Sequence, residues 1–163
     1  MIISPGLDEH WPLPKKFTDA RVPLIGETEF AFGLTDMPIA AITGTNGKTT
    51  TVTIIGHLLD RLGVRCGIIG TLTGARTTPE APELQAQLRA FDDAGAQVVA
   101  MEVSSHALAL HRVDGTRFAL AVFTNIGVDH LDFHETQERY FEAKARLFDP
   151  SSAVHAHTAV VCV

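Results

Sequence analysis

The run TGTNGKTTT at residues 43–51 limits the possible folds of this chain more than any other feature. It joins a short apolar run, IAAIT at 39–43, to an amphipathic helical pattern that begins near Lys48. A strand, a glycine-bearing loop and a helix in that order leave few architectures open. Gly44 and Gly47 permit backbone angles closed to other residues, so successive amide N–H groups can turn inward around the oxygens of an anion. The helix that follows aims the positive end of its dipole at the same point. Ile42 stands where a longer phosphate loop has its first glycine, so the loop is a shortened form, GxxGKT. Gly44, Thr45, Asn46, Gly47, Lys48, Thr49 and Thr50 are therefore candidates to bind the phosphates of a nucleotide. Lys48 would reach the outer phosphates and the Thr49 hydroxyl would ligate Mg2+. The plainer alternative is a glycine-rich turn that caps an ordinary helix.

The rest of the chain repeats the same alternation. In VTIIGHLLDRL at 52–62, Val52, Ile55, Leu58, Leu59 and Leu62 are expected on one helical face. VRCGIIG at 64–70 reads as the next strand, followed by a polar loop through Thr78 and a helix from Pro82 to Ala94. QVVAMEV at 97–103, FALAVFT at 118–124 and TAVVCV at 158–163 are further apolar runs, and ETQERYFEAKARLF at 135–148 is helical. Continuous apolar strands alternating with helices predict an α/β fold, a parallel sheet with helices on both faces, of the P-loop mononucleotide-binding type. Ligands of such sheets gather at the carboxyl ends of the strands, so the loops after Thr43, Val103 and Thr124 should meet in one crevice. Residues 1–37 carry Pro5, Pro12, Pro14, Pro23 and a lone Trp11 without periodicity, and read as a domain tail and linker; residues 38–163 read as the nucleotide-binding domain. The last run reaches Val163 inside what reads as a core strand, so a larger enzyme is expected around this chain.

With 163 residues, 45% of them hydrophobic, the chain can bury a sizeable core. A formal net charge of -6 speaks against a nucleic-acid partner and for a small anion held with Mg2+. Cys66 and Cys162 lie far apart with no metal-ligand spacing, which suits free thiols in a reducing compartment. No signal peptide or membrane-length apolar stretch is present, so a cytoplasmic protein without a membrane partner is expected.

Two further polar clusters follow apolar strands. In MEVSSHALALHRV at 101–113, Glu102 closes a strand of apolar neighbours, where a carboxylate either caps the following helix or ligates Mg2+ opposite Thr49. Ser104 and Ser105 fit helix caps and site residues equally. TNIGVDHLDFH at 124–134 gathers Asn125, Asp129, His130, Asp132 and His134, a set suited to metal coordination or substrate orientation. By pattern alone Lys144 is a surface lysine on a helix whose Tyr140, Phe141, Leu147 and Phe148 face the core. His10, His57, His155 and His157 have no partner pattern.

RTTPEAPELQ at 76–85, MEVSSHALALHRVDGTRF at 101–118 and FTNIGVDHLDFH followed by YFEAKARLF resemble the Mur ligases, ATP-dependent enzymes that add amino acids to the peptide of the cell-wall precursor. The resemblance covers roughly residues 38–163 and implies the first part of their central ATPase domain. It is strongest to the branch that extends UDP-MurNAc-L-Ala-D-Glu to the tripeptide. It implies ATP and Mg2+ as cofactors, and a UDP-MurNAc-peptide and an amino acid as partners. The reaction would run through an acyl phosphate. By resemblance, Lys48 and Thr49 meet the ATP phosphates and Mg2+, Glu102 and His130 are metal ligands, and Thr77, Thr78, Ser104 and Arg112 hold the acceptor. Lys144 matches a lysine that CO2 converts to a carbamate, an anion able to help hold a second Mg2+; with Lys48 and His130 it completes the catalytic set. Leu110 and Val128 depart from the family, standing where a glutamine and an arginine are frequent. ISPG at 3–6 and VPLIGETEF at 22–30 are instead similar to the D-glutamate-adding branch, which leaves that activity as the alternative. Folylpolyglutamate-type ligases share the loop but not RTTPEAPELQ. A non-catalytic nucleotide-binding fragment is the alternative of another class.

Overall fold

The computed structural model describes residues 36–162, Asp19, and two short parallel strands, β1 (Ile2–Ile3) and β2 (Ile25–Gly26). The expected tail and linker over 1–37 lies almost wholly outside the described residues.

Five parallel strands form the sheet: β3 (Ile39–Thr43), β4 (Cys66–Ile69), β5 (Val98–Glu102), β6 (Leu120–Phe123) and β7 (Thr158–Val161), in the order β4-β5-β3-β6-β7. The helices are α1 (Lys48–Arg61), α2 (Ala81–Asp93), α3 (Ser105–Ala109), α4 (Leu131–His134) and α5 (Gln137–Ala145). The pleat of a strand sends alternate side chains to opposite faces. Ile39 and Ala41 join Val99, Met101 and Ala121 on one face, under Leu84 and Leu88 of α2, Ala107 and Leu108 of α3, and Leu147. Ala40, Ile42 and Ala100 occupy the other face, under Val52 and Ile55 of α1. Both faces are covered, as the continuous apolar runs require, and every residue of central β3 is buried. Full burial of a side chain such as Leu84 contributes about 1.5–3 kcal/mol. β3 pairs with β5 on one side and β6 on the other, so the order of the strands reverses there and the crevice opens beyond their carboxyl ends.

Three expectations are corrected. On α1 Val52 and Gly56 are buried and Ile55 and Leu59 half-buried, whereas Leu58 and Leu62 are 58% and 76% exposed. At 100° per residue both lie on the shoulder of the stripe, and the helix closes at Arg61. The sheet comes close at Gly56, where a Cβ would stand 2.4 Å from Ile68 Cδ1. The segment 135–148 is not one helix. Thr136 caps α5 by accepting from the Arg139 amide at 3.2 Å, and Glu135 separates it from α4 with φ +66. On α5, Tyr140, Ala143 and Lys144 are buried while Phe141 is half-exposed, so the lysine takes a core position that its residue type argued against. Finally, β7 is an edge strand whose described residues are exposed, Val160 and Val161 among them, not a core strand.

Candidate functional site

The loop between β3 and α1 is fixed by its own glycines and by the loop after β6. Gly44 has φ +143, and a Cβ there would meet Thr124 Oγ1 at 2.0 Å. Gly47, the residue before α1, has φ +84. Both angles exclude ordinary side chains. The Thr45 amide donates to the Asn125 carbonyl at 3.0 Å. The Asn125 side chain accepts from the Asn46 amide at 2.9 Å and donates to the Asn46 carbonyl at 3.1 Å, copying a strand partner. The Thr124 hydroxyl donates to the same carbonyl at 2.7 Å. Thr45 Oγ1 accepts from the Gly127 amide at 2.8 Å and lies 3.1 Å from the Tyr140 hydroxyl. α1 has no side-chain cap and no acidic residue in its first turn, so the free amides of that turn face the crevice without a built-in counter-charge.

Two lysines meet on one carbonyl. Lys48 Nζ donates to the Gly44 carbonyl at 2.9 Å and to the Thr45 carbonyl at 3.1 Å. Lys144 Nζ donates to the Gly44 carbonyl at 3.0 Å from across the crevice, 4.5 Å above the Tyr140 ring. Burial pulls the Lys144 pKa down to about 7 and the neighbouring Lys48 charge adds to the effect, with Asp129 opposing it. Burial also lowers the Lys48 pKa, against the pull of Glu102 and Asp129. A lysine poised this way carries an amine that is substantially neutral near neutral pH.

The wall beside β5 is built from side chains. Glu102 is buried at the end of its strand, with Oε1 accepting from the Thr71 amide at 2.9 Å. Gly70 makes the room, since a Cβ there would stand 2.3 Å from that oxygen. Thr71 Oγ1 links to Thr77 Oγ1 at 3.0 Å. Thr78, also buried, donates to the Glu102 carbonyl and accepts from the Ser104 amide, both at 3.0 Å. Ser104 caps α3 by accepting from the Ala107 amide at 3.1 Å, so its capping reading holds, and its hydroxyl also faces Thr78. Arg112 Nε lies 3.1 Å from Glu80 Oε2, too bent for a hydrogen bond, which leaves this nitrogen buried without a hydrogen-bond partner.

Three histidines line the other side. His130, at φ +54 before α4, stands edge-on to His106 with ring centroids 4.7 Å apart, and its backbone amide donates to Asp129 Oδ1. Phe133 lies 4.2 Å from His106, centroid to centroid. His134 is buried and bonds the Ser105 hydroxyl at 2.9 Å. Burial, then neighbouring histidine charge, lowers the pKa of both His106 and His134.

The loops after β3, β5 and β6 thus meet as expected, bringing Lys48, Glu102, Asp129 and Lys144 within electrostatic reach. No three His, Cys, Asp or Glu side chains among the described residues converge as a ready-made metal cage. Sequence reasoning missed Tyr140 as the residue that touches both Thr45 and Lys144, and His106 as the centre of the histidine group. Asn125, grouped in the sequence with that acidic and histidine cluster, clamps the loop through its side chain. The spacing of Tyr140 and Lys144, four apart on one helical stripe, was the available signal. No helix among the described residues is long and apolar enough to cross a membrane.

A family model, the Mur ligase middle domain, matches residues 42–162. The chain is 46% identical over 141 residues to the UDP-N-acetylmuramoyl-L-alanyl-D-glutamate–2,6-diaminopimelate ligase of Geobacter sulfurreducens, covering 80% of this chain and 28% of that protein. It is 54% identical over 121 residues to the ligase of the same name from Parasynechococcus marenigrum, covering 69% and 24%. The chain therefore spans about a quarter of the length of these curated relatives. A solved structure of a ligase of that name superposes with a TM-score of 0.68 at 33% identity, over 96% of this chain and 33% of that one. Escherichia coli FolC in complex with DHPP and ADP superposes with a TM-score of 0.58 at 20% identity, over 90% and 46%, a likeness of fold alone.

Proposed function

The chain belongs to the Mur ligase family, whose middle domain matches residues 42–162, and from that premise we propose that it is the nucleotide-binding part of a cytoplasmic, ATP-dependent amide ligase of peptidoglycan synthesis. Residues 38–163 would form the first part of the central ATP-binding domain, and residues 1–37 the tail of a substrate domain. The acceptor would be UDP-MurNAc-L-Ala-D-Glu and the incoming amine that of an amino acid, 2,6-diaminopimelate being the one in the names of the relatives. The observation that carries this reading is the Gly44–Thr50 loop, shaped by two positive-φ glycines at the start of α1, with Lys48 and Lys144 both reaching the Gly44 carbonyl and Glu102 and Asp129 acting on the Lys48 charge.

Each residue has a task. Lys48 and the amides at the start of α1 bind the outer phosphates of ATP. Thr49, Glu102 and His130, with Lys144 once carbamylated, would hold Mg2+. The fit is good for a hard ion that takes one or two carboxylates and keeps several waters, and Glu102 is buried with Thr71 as its hydrogen-bond partner. Bound Mg2+ would neutralise crowded phosphate charge. Arg112, Thr77, Thr78 and Ser104 orient the acceptor so that its carboxylate attacks the γ-phosphorus, releasing ADP and leaving an acyl phosphate. The amine of the amino acid then displaces phosphate and forms the amide. No side-chain nucleophile is needed; positioning and charge stabilisation supply the catalysis. The neutral Lys144 amine can attack CO2, losing one proton and becoming an N-carboxylate. That change places an anion beside the Lys48 ammonium, where burial and then the Lys48 charge disfavour a protonated amine.

The deciding experiment measures phosphate release from MgATP by the full-length protein, with UDP-MurNAc-L-Ala or UDP-MurNAc-L-Ala-D-Glu as acceptor and a panel of amino acids. Turnover with the dipeptide acceptor is expected. Turnover with the monopeptide acceptor would transfer the activity to the D-glutamate-adding branch, and none with either would leave a nucleotide-binding module.

A further inference from the structure

Arg146 stands immediately after α5, at its C-cap. An arginine in that place commonly extends to water, yet here its guanidinium spans two elements. Nη1 donates to the carbonyl of Leu108, in the last turn of α3. Nη2 lies 3.1 and 3.3 Å from the two carboxylate oxygens of Asp114, and neither side chain is more than about a quarter exposed, at 26% and 20%. His111 completes the group, with Nδ1 2.6 Å from Asp114 Oδ2.

The segment so held has little regular structure of its own. Between α3 and β6 the backbone turns through His111 at φ +57, the Arg112 amide donates to the Ala107 carbonyl at 2.9 Å, and the Arg112 side chain lies beside Glu80. Arg112 lies between His111 and Asp114, the two residues that Arg146 engages. Lys144, two positions before Arg146, reaches the Gly44 carbonyl from the same helix. We propose that Arg146 and Asp114 form a strut that sets Arg112 at a fixed place relative to the α5 helix and hence to the phosphate loop. Both are positioning residues, touching neither nucleotide nor acceptor; the inference rests on the reading above, in which Arg112 binds the acceptor.

The phosphate loop has anchors apart from this strut. The Asn46 backbone is tied to the Thr124 and Asn125 side chains, and the Thr45 hydroxyl accepts from the Gly127 amide, all on the loop after β6. Loosening the strut therefore displaces the acceptor-binding arginine and leaves the nucleotide cradle in place. A planar guanidinium fork fits two acceptors on two elements, whereas an ammonium presents a single point charge, so lysine is an incomplete substitute.

The test compares wild-type full-length protein with Arg146→Met, Arg146→Lys, Asp114→Asn and the charge-exchanged pair Asp114→Arg with Arg146→Asp. Each single substitution is expected to raise the KM for UDP-MurNAc-L-Ala-D-Glu about tenfold, with Arg146→Lys less affected and the KM for ATP changed by less than about twofold. The exchanged pair is expected to recover part of the loss. Parallel rises in both KM values, or a lower melting temperature with both unchanged, would reduce the pair to general stabilisation and overturn the proposal. Amide hydrogen exchange gives a readout independent of turnover. Arg146→Lys and Asp114→Asn should speed exchange at residues 110–116 and leave Thr45 and Asn46 protected. If wild-type protein ignores this acceptor, the functional reading fails and exchange alone decides the strut; unchanged protection at 110–116 overturns it.

Discussion

The glycine loop after β3 and the wall beside β5 are held by different means. The loop is held mainly through backbone groups, with two positive-φ glycines and the clamp of Thr124 and Asn125. The wall is held by side chains on separate elements: Thr78 between Glu102 and Ser104, Glu80 beside Arg112, and Arg146 on Asp114. Backbone clamping tolerates few substitutions but keeps one shape. Side-chain bracing allows the shape of the wall to be re-tuned by changing single residues.

The contrast is broken most severely by Gly44→Ala. The φ of +143 and the 2.0 Å approach to Thr124 leave no room for a Cβ, so the loop must shift. Strain of about 1–3 kcal/mol is expected in the folded state, and affinity for a fluorescent ATP analogue should fall about a hundredfold by titration. Retained affinity would show that the loop is more compliant than its geometry states. Lys144→Met comes next. It keeps the buried volume and removes the amine, so turnover should fall about a hundredfold while the protein still melts cooperatively. Stability adds a sign. The folded amine has a pKa of about 7 against 10.5 unfolded, so between those values the unfolded chain binds the extra proton. Wild-type stability relative to Lys144→Met should therefore rise as pH increases through that window, and a flat difference between melting curves would contradict the burial of a neutral amine.

Thr78→Val sharpens the comparison from the other side. It leaves the Glu102 carbonyl and the Ser104 amide without their shared partner, at a cost of about 1–3 kcal/mol. The acceptor KM should rise and nucleotide affinity should hold; equal losses in both would mean that the two sides are one unit. The smallest effect is expected for Leu58→Gln, a change of less than about 0.5 kcal/mol at an exposed position of α1.

That last substitution also marks what the sequence could and could not reveal. The strands were legible because buried parallel strands are continuous apolar runs: IAAIT was expected at 39–43 and β3 spans Ile39–Thr43. The loop was legible because its demands are local, two glycines and a helix start. Leu58 was misassigned because apolar character beyond the edge of the inward-facing stripe does not imply burial. Lys144 was misread by pattern because residue type carries no information about a carbonyl 100 positions away. Only the family resemblance placed it in the crevice. Tyr140 was expected in the core and is there; its four-residue spacing from Lys144 marks a shared stripe but does not tell that its hydroxyl meets Thr45, 95 positions earlier.

One consequence of the strand order concerns assembly. β3 is made early among the five strands of the sheet, but its neighbours β5 and β6 are made later. Asn46 waits for Asn125, 79 positions further along, before its amide is clamped. The most recognisable stretch of the chain is thus contiguous in sequence but clamped by partners made much later. During synthesis on the ribosome the clamp on Asn46 can close only after Thr124 and Asn125 have emerged, and joining groups so far apart carries a closure entropy.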